Sequence, residues 1–203
     1  MFSIKLILHL FSNQTLMQIR LNKLADIFTG QTFRTKVDNN PDGEVWVIQM
    51  KDLNKNYTGI SGQPNTITYD DVSRNQLLRK GDILLLAKGN NNVAFKYDSD
   101  QPAVAVSLFF VIRVKSSKII PDYLIWFINN HNTQNYLATM REGASVSSIK
   151  KSIFEELCIE IPEIRKQELI ANVYRLSICE EELMRKLIEE KQQFIQNALA
   201  KQL

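Results

Sequence analysis

Apolar and polar positions along this chain change period twice. In residues 20–30, RLNKLADIFTG, Leu21, Leu24, Ala25 and Ile27 fall on one face of a short helix or turn, and Gly30 is a natural stop. Residues 44–53, EVWVIQMKDL, alternate as a strand does and follow the turn signal Asn40-Pro41-Asp42-Gly43. A short strand is expected in NTITYDD and a buried one over residues 83–87. AVAVSLFFVIRV, residues 103–114, carries no breaker and predicts a central strand covered on both faces.

The period then becomes helical. Pro121-Asp122 opens a helix expected to run from Tyr123 to about Met140, with Leu124, Phe127, Ile128 and Leu137 as its buried stripe. REGASVSSIKKSIFEELCIEIP predicts a polar glycine-serine loop, a short helix from about Ser148 to Glu156, and a strand from Leu157 to Ile161 that stops at Pro162. Cys158 is expected there as a small core residue. Residues 163–203 contain neither Gly nor Pro and predict one helix of roughly 35–40 residues, about 55 Å long.

That helix carries the strongest pattern. Leu169, Val173, Leu176, Leu183, Leu187 and Phe194 follow steps of four and three, and Ile170, Met184, Ile188 and Ile195 widen the stripe. Glu180 and Glu190 stand at core-like steps, so a short, irregular pairing fits better than a strict coiled coil. The stripe is too long to bury on a domain of this size. Pairing with a second helix is therefore expected, with folding back onto its own domain as the alternative.

Composition adds limits. The net charge of +3 is too small to argue for a nucleic-acid or membrane partner, and residues 163–203 are neutral, so the excess lies in the first 162. Two cysteines and two histidines give neither a disulfide framework nor a zinc site, which makes a reducing, cytoplasmic setting the default. The opening MFSIKLILHLF is too short for a membrane span and is expected as a leader or an extra strand, with organised pattern from Met17 onward.

Catalytic motifs are sparse. No glycine-rich dinucleotide turn or phosphate loop is present, nor the Asn/Asp-Pro-Pro-aromatic run of an amino-methyltransferase. Pro41-Asp42 followed by Gln49-Met50-Lys51 faintly echoes the metal site of many nucleases, which leaves a nuclease domain using Asp42 and Lys51 as a rival reading. His131 has no nucleophile in its sequence context. What stands out is polar loop chemistry in TGQTFRTK (29–36), AKGNNN (87–92) and REGASVSSIKK (141–151). Amides bond base edges, cations reach phosphate or guanine, and serines with a helix N-terminus clamp phosphates.

In order and spacing, LADIFTGQTFR, LRKGDILLLAKGNNNVAF, SLFFVIRVKSSKIIPDYLIWFIN and GASVSSIKKSIFEELCIEIPEIRKQELIANVY resemble the specificity (S) subunits of type I restriction-modification systems, or one half of such a subunit. The resemblance covers roughly residues 17–203. It implies a mixed α/β target recognition domain with a twisted β-sheet over residues 17–162, then a long coiled-coil-like helix over 163–203 for dimerisation, spacing and methyltransferase docking. It also implies binding to half of a bipartite site in double-stranded DNA and no catalysis or cofactor of its own. The methyltransferase subunit brings S-adenosylmethionine and the restriction subunit ATP hydrolysis. Full-length members carry two recognition domains and two helices. Here a homodimer, or pairing with another half-subunit, would rebuild that arrangement through Leu169, Val173, Leu176, Leu183, Leu187 and Phe194. The expected DNA contacts are Arg34, Lys36, Lys88, Asn90, Asn91, Asn92, Ser145, Ser147 and Lys150, with Gln49, Lys51 and Lys55 as second choices. A helix-pairing protein that binds no DNA is the remaining alternative.

Overall fold

The greasy run Ile83–Leu86 does not alternate because both of its faces are covered. In a strand, successive side chains point to opposite sides. Here all four are buried. A computed structural model describes residues 17–89, 92–142 and 147–200, so the expected leader (1–16) lies outside the described residues. In chain order the elements are β1 (Met17–Arg20), α1 (Leu21–Leu24), β2 (Ala25–Thr29), β3 (Val45–Ile48), β4 (Asn65–Ile67), β5 (Ile83–Leu86), β6 (Ala94–Lys96), β7 (Ala103–Ala105) and β8 (Phe109–Val114). They continue as α2 (Pro121–Asn129), α3 (His131–Thr139), β9 (Arg141–Glu142), β10 (Ser148–Ile149), α4 (Lys151–Glu155), β11 (Cys158–Ile161) and α5 (Ile164–Ala200).

These form a mixed α/β fold followed by a long helix. A four-stranded antiparallel sheet has the order β2-β8-β5-β6, and a three-stranded sheet the order β4-β3-β7 with β3 and β7 parallel. On one side of the larger sheet, Ile83, Leu85, Phe110 and Ile112 pack with Leu124, Ile128, Leu137, Phe154 and Ile159. On the other, Leu84, Leu86, Phe95, Phe109 and Val111 meet Ile48, Ala103 and Ala105 of the smaller sheet. Each such side chain contributes roughly 1.5–3 kcal/mol by leaving water.

Five expectations need correction. The short helix or turn expected over 20–30 is only Leu21–Leu24, because Ala25–Thr29 pairs with β8 as β2. Residues 103–114 are not one strand: β7 lies beside β3, the chain turns at Val106–Leu108, and β8 enters the centre of the other sheet. The turn is held by Phe109 N–H donating to the Val106 carbonyl at 3.0 Å, and no Gly or Pro marks it. The helix expected to Met140 is two helices, because Asn130 is extended (ψ 153°) and caps the second by accepting from Thr133 N–H at 2.9 Å. The helix expected over 148–156 is only Lys151–Glu155, with Ser148–Ile149 paired as a strand instead. Cys158 is exposed rather than in the core: in β11 it is Ile159 that faces inward.

The helix α5 starts from a built anchor. Gln167 is 0% exposed, and its amide donates to the carbonyls of Lys118 and Pro162, both at 2.8 Å, while accepting from Ile120 N–H at 3.0 Å. Ala171 is buried one turn on, and Tyr174 accepts from Asn129 Nδ2 at 3.0 Å. Gln167→Leu would leave three backbone groups unpaired. A loss of about 3 kcal/mol is expected from urea unfolding, and a loss below about 1 kcal/mol would show that the anchor is not what holds the helix.

Both readings of α5 contain part of the observed arrangement. Gln167, Ala171, Tyr174 and Ile178 face the domain, while on the opposite side Leu169 (47% exposed), Val173, Leu176, Leu183, Leu187 and Phe194 (73%) remain in solvent. No helix among the described residues is long and apolar enough to cross a membrane.

Candidate nucleic-acid interface

Strand direction gathers the polar loops. Both β2 and β5 run antiparallel to β8 between them, so they run the same way and end level with each other, at Thr29 opposite Phe110 and Leu86 opposite Phe109. With one strand between them, the two exits lie roughly 10 Å apart. β3 ends at the same level, since Val106 N–H donates to the Ile48 carbonyl and Val106 bridges Gln31.

The first loop is fixed by Gly30. Its N–H donates to the Phe109 carbonyl at 3.0 Å and that of Gln31 to the Ala105 carbonyl at 2.8 Å. A Cβ on Gly30 would stand 2.4 Å from the carbonyl oxygens of both Ala105 and Val106, so no other residue fits without moving the backbone. Phe33 and Val37 pack on the cluster of Val45, Val47 and Ile67. Arg34 and Lys36 between them point into solvent and make no hydrogen bond or ion pair among the described residues.

The described ends of the second and third loops pair with each other. Ile149 N–H donates to the Ala87 carbonyl at 3.0 Å, Lys88 bridges Ser148, and Gly89 N–H donates to the Ser147 carbonyl at 2.8 Å. Gly89 adopts φ +98°, a conformation that favours glycine. Residues 87–89 thus continue β5 and pair antiparallel with 147–149, and β10 pairs in turn with β9. Lys88 is exposed with no ion pair among the described residues, whereas Lys150 forms an exposed pair with Glu142 at 2.6 Å. Asn90, Asn91 and Ser145 lie outside the described residues.

Asn92, expected as a DNA contact, turns inward. It is 0% exposed, donates to the Leu86 carbonyl at 2.8 Å, accepts from Arg141 Nε at 2.8 Å, and its carbonyl accepts from Gln134. From inside, it holds the turn that displays Lys88. Gln49 follows β3 at the same end and is half-buried; Lys51 donates to Asn65 Oδ1 at 2.9 Å, and Asn65 to the Val37 carbonyl at 2.7 Å. Lys55 lies instead against α5, 3.1 Å from Glu189. Asp52, beside Lys51, is buried, and desolvation pushes its carboxyl above the usual range, with Gln49 N–H and Lys51 opposing.

Two residues escaped the sequence reading. Gln31 ties the first loop to residues 71–73 by donating to the Asp71 carbonyl at 2.7 Å and accepting from Ser73 N–H at 3.2 Å. That contact ties the first loop to the segment that carries Arg74, which is exposed and unpaired among the described residues, with Asp70 and Asp71 as opposing charge. No local pattern links positions 31 and 74; only the fold does. The nuclease reading gains no geometry: Asp42 sits in an exposed turn, Lys51 bonds an amide, and no group of three His, Cys, Asp or Glu among the described residues could hold a metal.

Solved structures share this architecture. The S subunit of a type I restriction-modification system from M. genitalium matches at TM-score 0.57 and 16% identity, over 86% of this chain and 42% of that one. The HsdS subunit from Thermoanaerobacter tengcongensis matches at 0.59 and 15%, over 84% and 39%. A chain from a study of assembly and conformational transition of the type I restriction-modification system matches at 0.66 and 16%, over 89% and 43%. This chain therefore spans less than half the length of these three structures. No curated protein matches its sequence. The family described as type I restriction modification DNA specificity domain matches residues 13–191, nearly all of the sequence, and the chain belongs to that family.

Proposed function

We propose that this chain is a non-catalytic DNA-recognition unit that reads one half of a bipartite target through the end of the sheet where β2, β3 and β5 finish. The observation that carries this reading is the convergence there of cations without an ion pair among the described residues, Arg34, Lys36 and Lys88, on loops fixed by backbone pairing. Cations on a rigid frame position a duplex by its phosphates, and neighbouring amides read base edges. Lys150, Ser147 and Ser145 extend the phosphate contacts, with Gln49, Lys51, Asn90 and Asn91 as base or backbone contacts. Residues 17–162 form the recognition unit and 163–203 the spacer. A second copy pairs along the stripe of α5, which is exposed on the face turned away from the domain. Methyltransferase and restriction subunits dock on the resulting pair and supply the chemistry, so the chain needs no cofactor of its own.

The test is the salt dependence of binding to duplex DNA, with the methyltransferase partner present. Losing three phosphate contacts in Arg34→Ala/Lys36→Ala/Lys88→Ala should flatten the slope of log affinity against log salt by about 2.7 and weaken binding near 0.1 M salt on the order of 10²-fold. An unchanged slope would remove these residues from the interface. No salt-sensitive binding by the wild type would favour the helix-pairing protein that binds no DNA.

A further inference from the structure

The long helix touches the domain twice, with a gap between. Its first contact is the apolar and amide anchor at Gln167, Ala171 and Tyr174. Past Ile178 the hydrogen bonds and ion pairs that join it to the domain, among the described residues, are three and all polar. Arg185 donates to Asn56 Oδ1 at 2.6 Å, Lys55 lies 3.1 Å from Glu189, and Thr58 Oγ1 lies 3.5 Å from Glu182. Between the two contacts is a cleft of about 400 Å³, lined by Phe95, Lys96, Asp122, Ile125 and Arg175. The helix is not packed onto the core across that span.

The loop on the domain side is unusually fixed for a surface connection. Leu53 bridges Ile60, and Asn54 N–H donates to the Gly59 carbonyl at 2.9 Å. Asn54 Oδ1 accepts from Thr58 N–H at 2.9 Å while its Nδ2 donates to Thr58 Oγ1 at 2.8 Å. Tyr57 is held at φ +58°, the one non-glycine residue with positive φ among the described residues, and its side chain packs against the cluster that contains Leu84 and Phe95. Such a conformation persists when its surroundings over-determine it. On the helix, Arg185 is braced by Glu181 at 2.8 Å.

We infer that this polar strut, residues 55, 56 and 58 against 182, 185 and 189, fixes the angle between recognition unit and spacer helix, and so selects the number of base pairs between the two half-sites. The inference rests on the proposed reading of paired helices carrying a recognition unit each. The lever supports it. A domain of this size has a radius of roughly 20 Å, so a tilt of about 10° about the Gln167 anchor moves the reading end by about 3.5 Å. One base pair rises by about 3.4 Å. The apolar anchor holds the helix on; the strut, far from the anchor, sets its direction.

The experiment compares the wild-type chain with Asn56→Ala/Arg185→Ala, each with the methyltransferase partner, in selection from a random duplex pool followed by sequencing. Neither residue lies at the reading end or on the exposed stripe, and both changes are on the surface. The wild type should enrich two half-sites at one spacing. The variant should keep the same half-site bases, with the discrimination against spacings one base pair longer or shorter reduced roughly tenfold, the scale of one hydrogen bond to a charged group. A variant that keeps the single spacing overturns the strut while leaving the proposed function intact. A wild type that enriches no bipartite motif overturns both, and a variant that alters the half-site bases overturns the assignment of these residues to geometry.

Discussion

Leu183→Asp combined with Leu187→Asp is expected to leave the chain monomeric at a micromolar concentration at which the wild type is expected to dimerise. Both leucines are 61% exposed in the single chain, with Leu176, Cys179, Glu180 and Met184 around them forming a shallow apolar groove. Pairing would bury each leucine for roughly 1.5–3 kcal/mol, and a symmetric pair does so with four of them. Four aspartates in their place add desolvation and like-charge repulsion next to Glu180, so the dissociation constant should rise by at least about 10³-fold. Because the stripe faces away from the domain, thermal unfolding of the recognition unit should change little. Light scattering with circular dichroism reads both effects. A wild type that is already monomeric, or a double variant of unchanged mass, would exclude the stripe as a self-pairing surface.

Asp82→Ala should cost about 3–5 kcal/mol in urea unfolding, although Asp82 lies outside the proposed interface. The carboxylate is 3% exposed and accepts from Arg113 through Nε at 2.9 Å and an Nη at 2.6 Å, and from Arg79 N–H at 2.8 Å. Hydrogen bonding to Asp82, against an opposing burial effect, holds the Arg113 guanidinium above its ordinary basicity. Arg113 also donates to the Leu77 carbonyl at 3.1 Å and stands 5.3 Å from the centre of the Phe28 ring. Removing the carboxylate strands that cation between β2 and β5, the two strands that deliver the interface loops. Loss of DNA binding in this variant is therefore expected to track loss of fold. A cost below about 1 kcal/mol would mean that Arg113 finds water or another partner at no penalty.

The sequence LRKGDILLLAKGNNNVAF shows how far local pattern reaches. Its apolar half announces a strand buried on both sides, and the fold has it so, with Leu84 and Leu86 facing one cluster and Ile83 and Leu85 the other. Its Lys-Gly-Asn half is expected, from its composition, as a DNA-facing loop rather than a bare turn. Yet like composition does not mean like environment: Asn92 is buried in a hydrogen-bond network with Arg141 and Gln134, while Lys88 four residues earlier is in solvent. Residue type fixes what a side chain can bond, and only the surroundings fix whether water or protein supplies the partner. Lys55 illustrates the same limit, since its charge was visible and its partner 134 residues away was not.

Taken by itself, the sequence determined the mixed α/β class, the long terminal helix with its apolar stripe, and the order of polar loops that marks the family. These depend on periodicity and on residue chemistry, which are local. Tertiary structure alone decided the break at Val106–Leu108, the cap at Asn130, the solvent-facing Cys158, and the meeting of loops 29–36, 87–89 and 147–149 at one end of the sheets. It also decided that α5 leans on its own domain with one face and leaves the other bare. The physical reason is common to all of them: a strand or helix encodes which faces must leave water, and the choice of partner for each face is made by pairings between residues far apart in the chain.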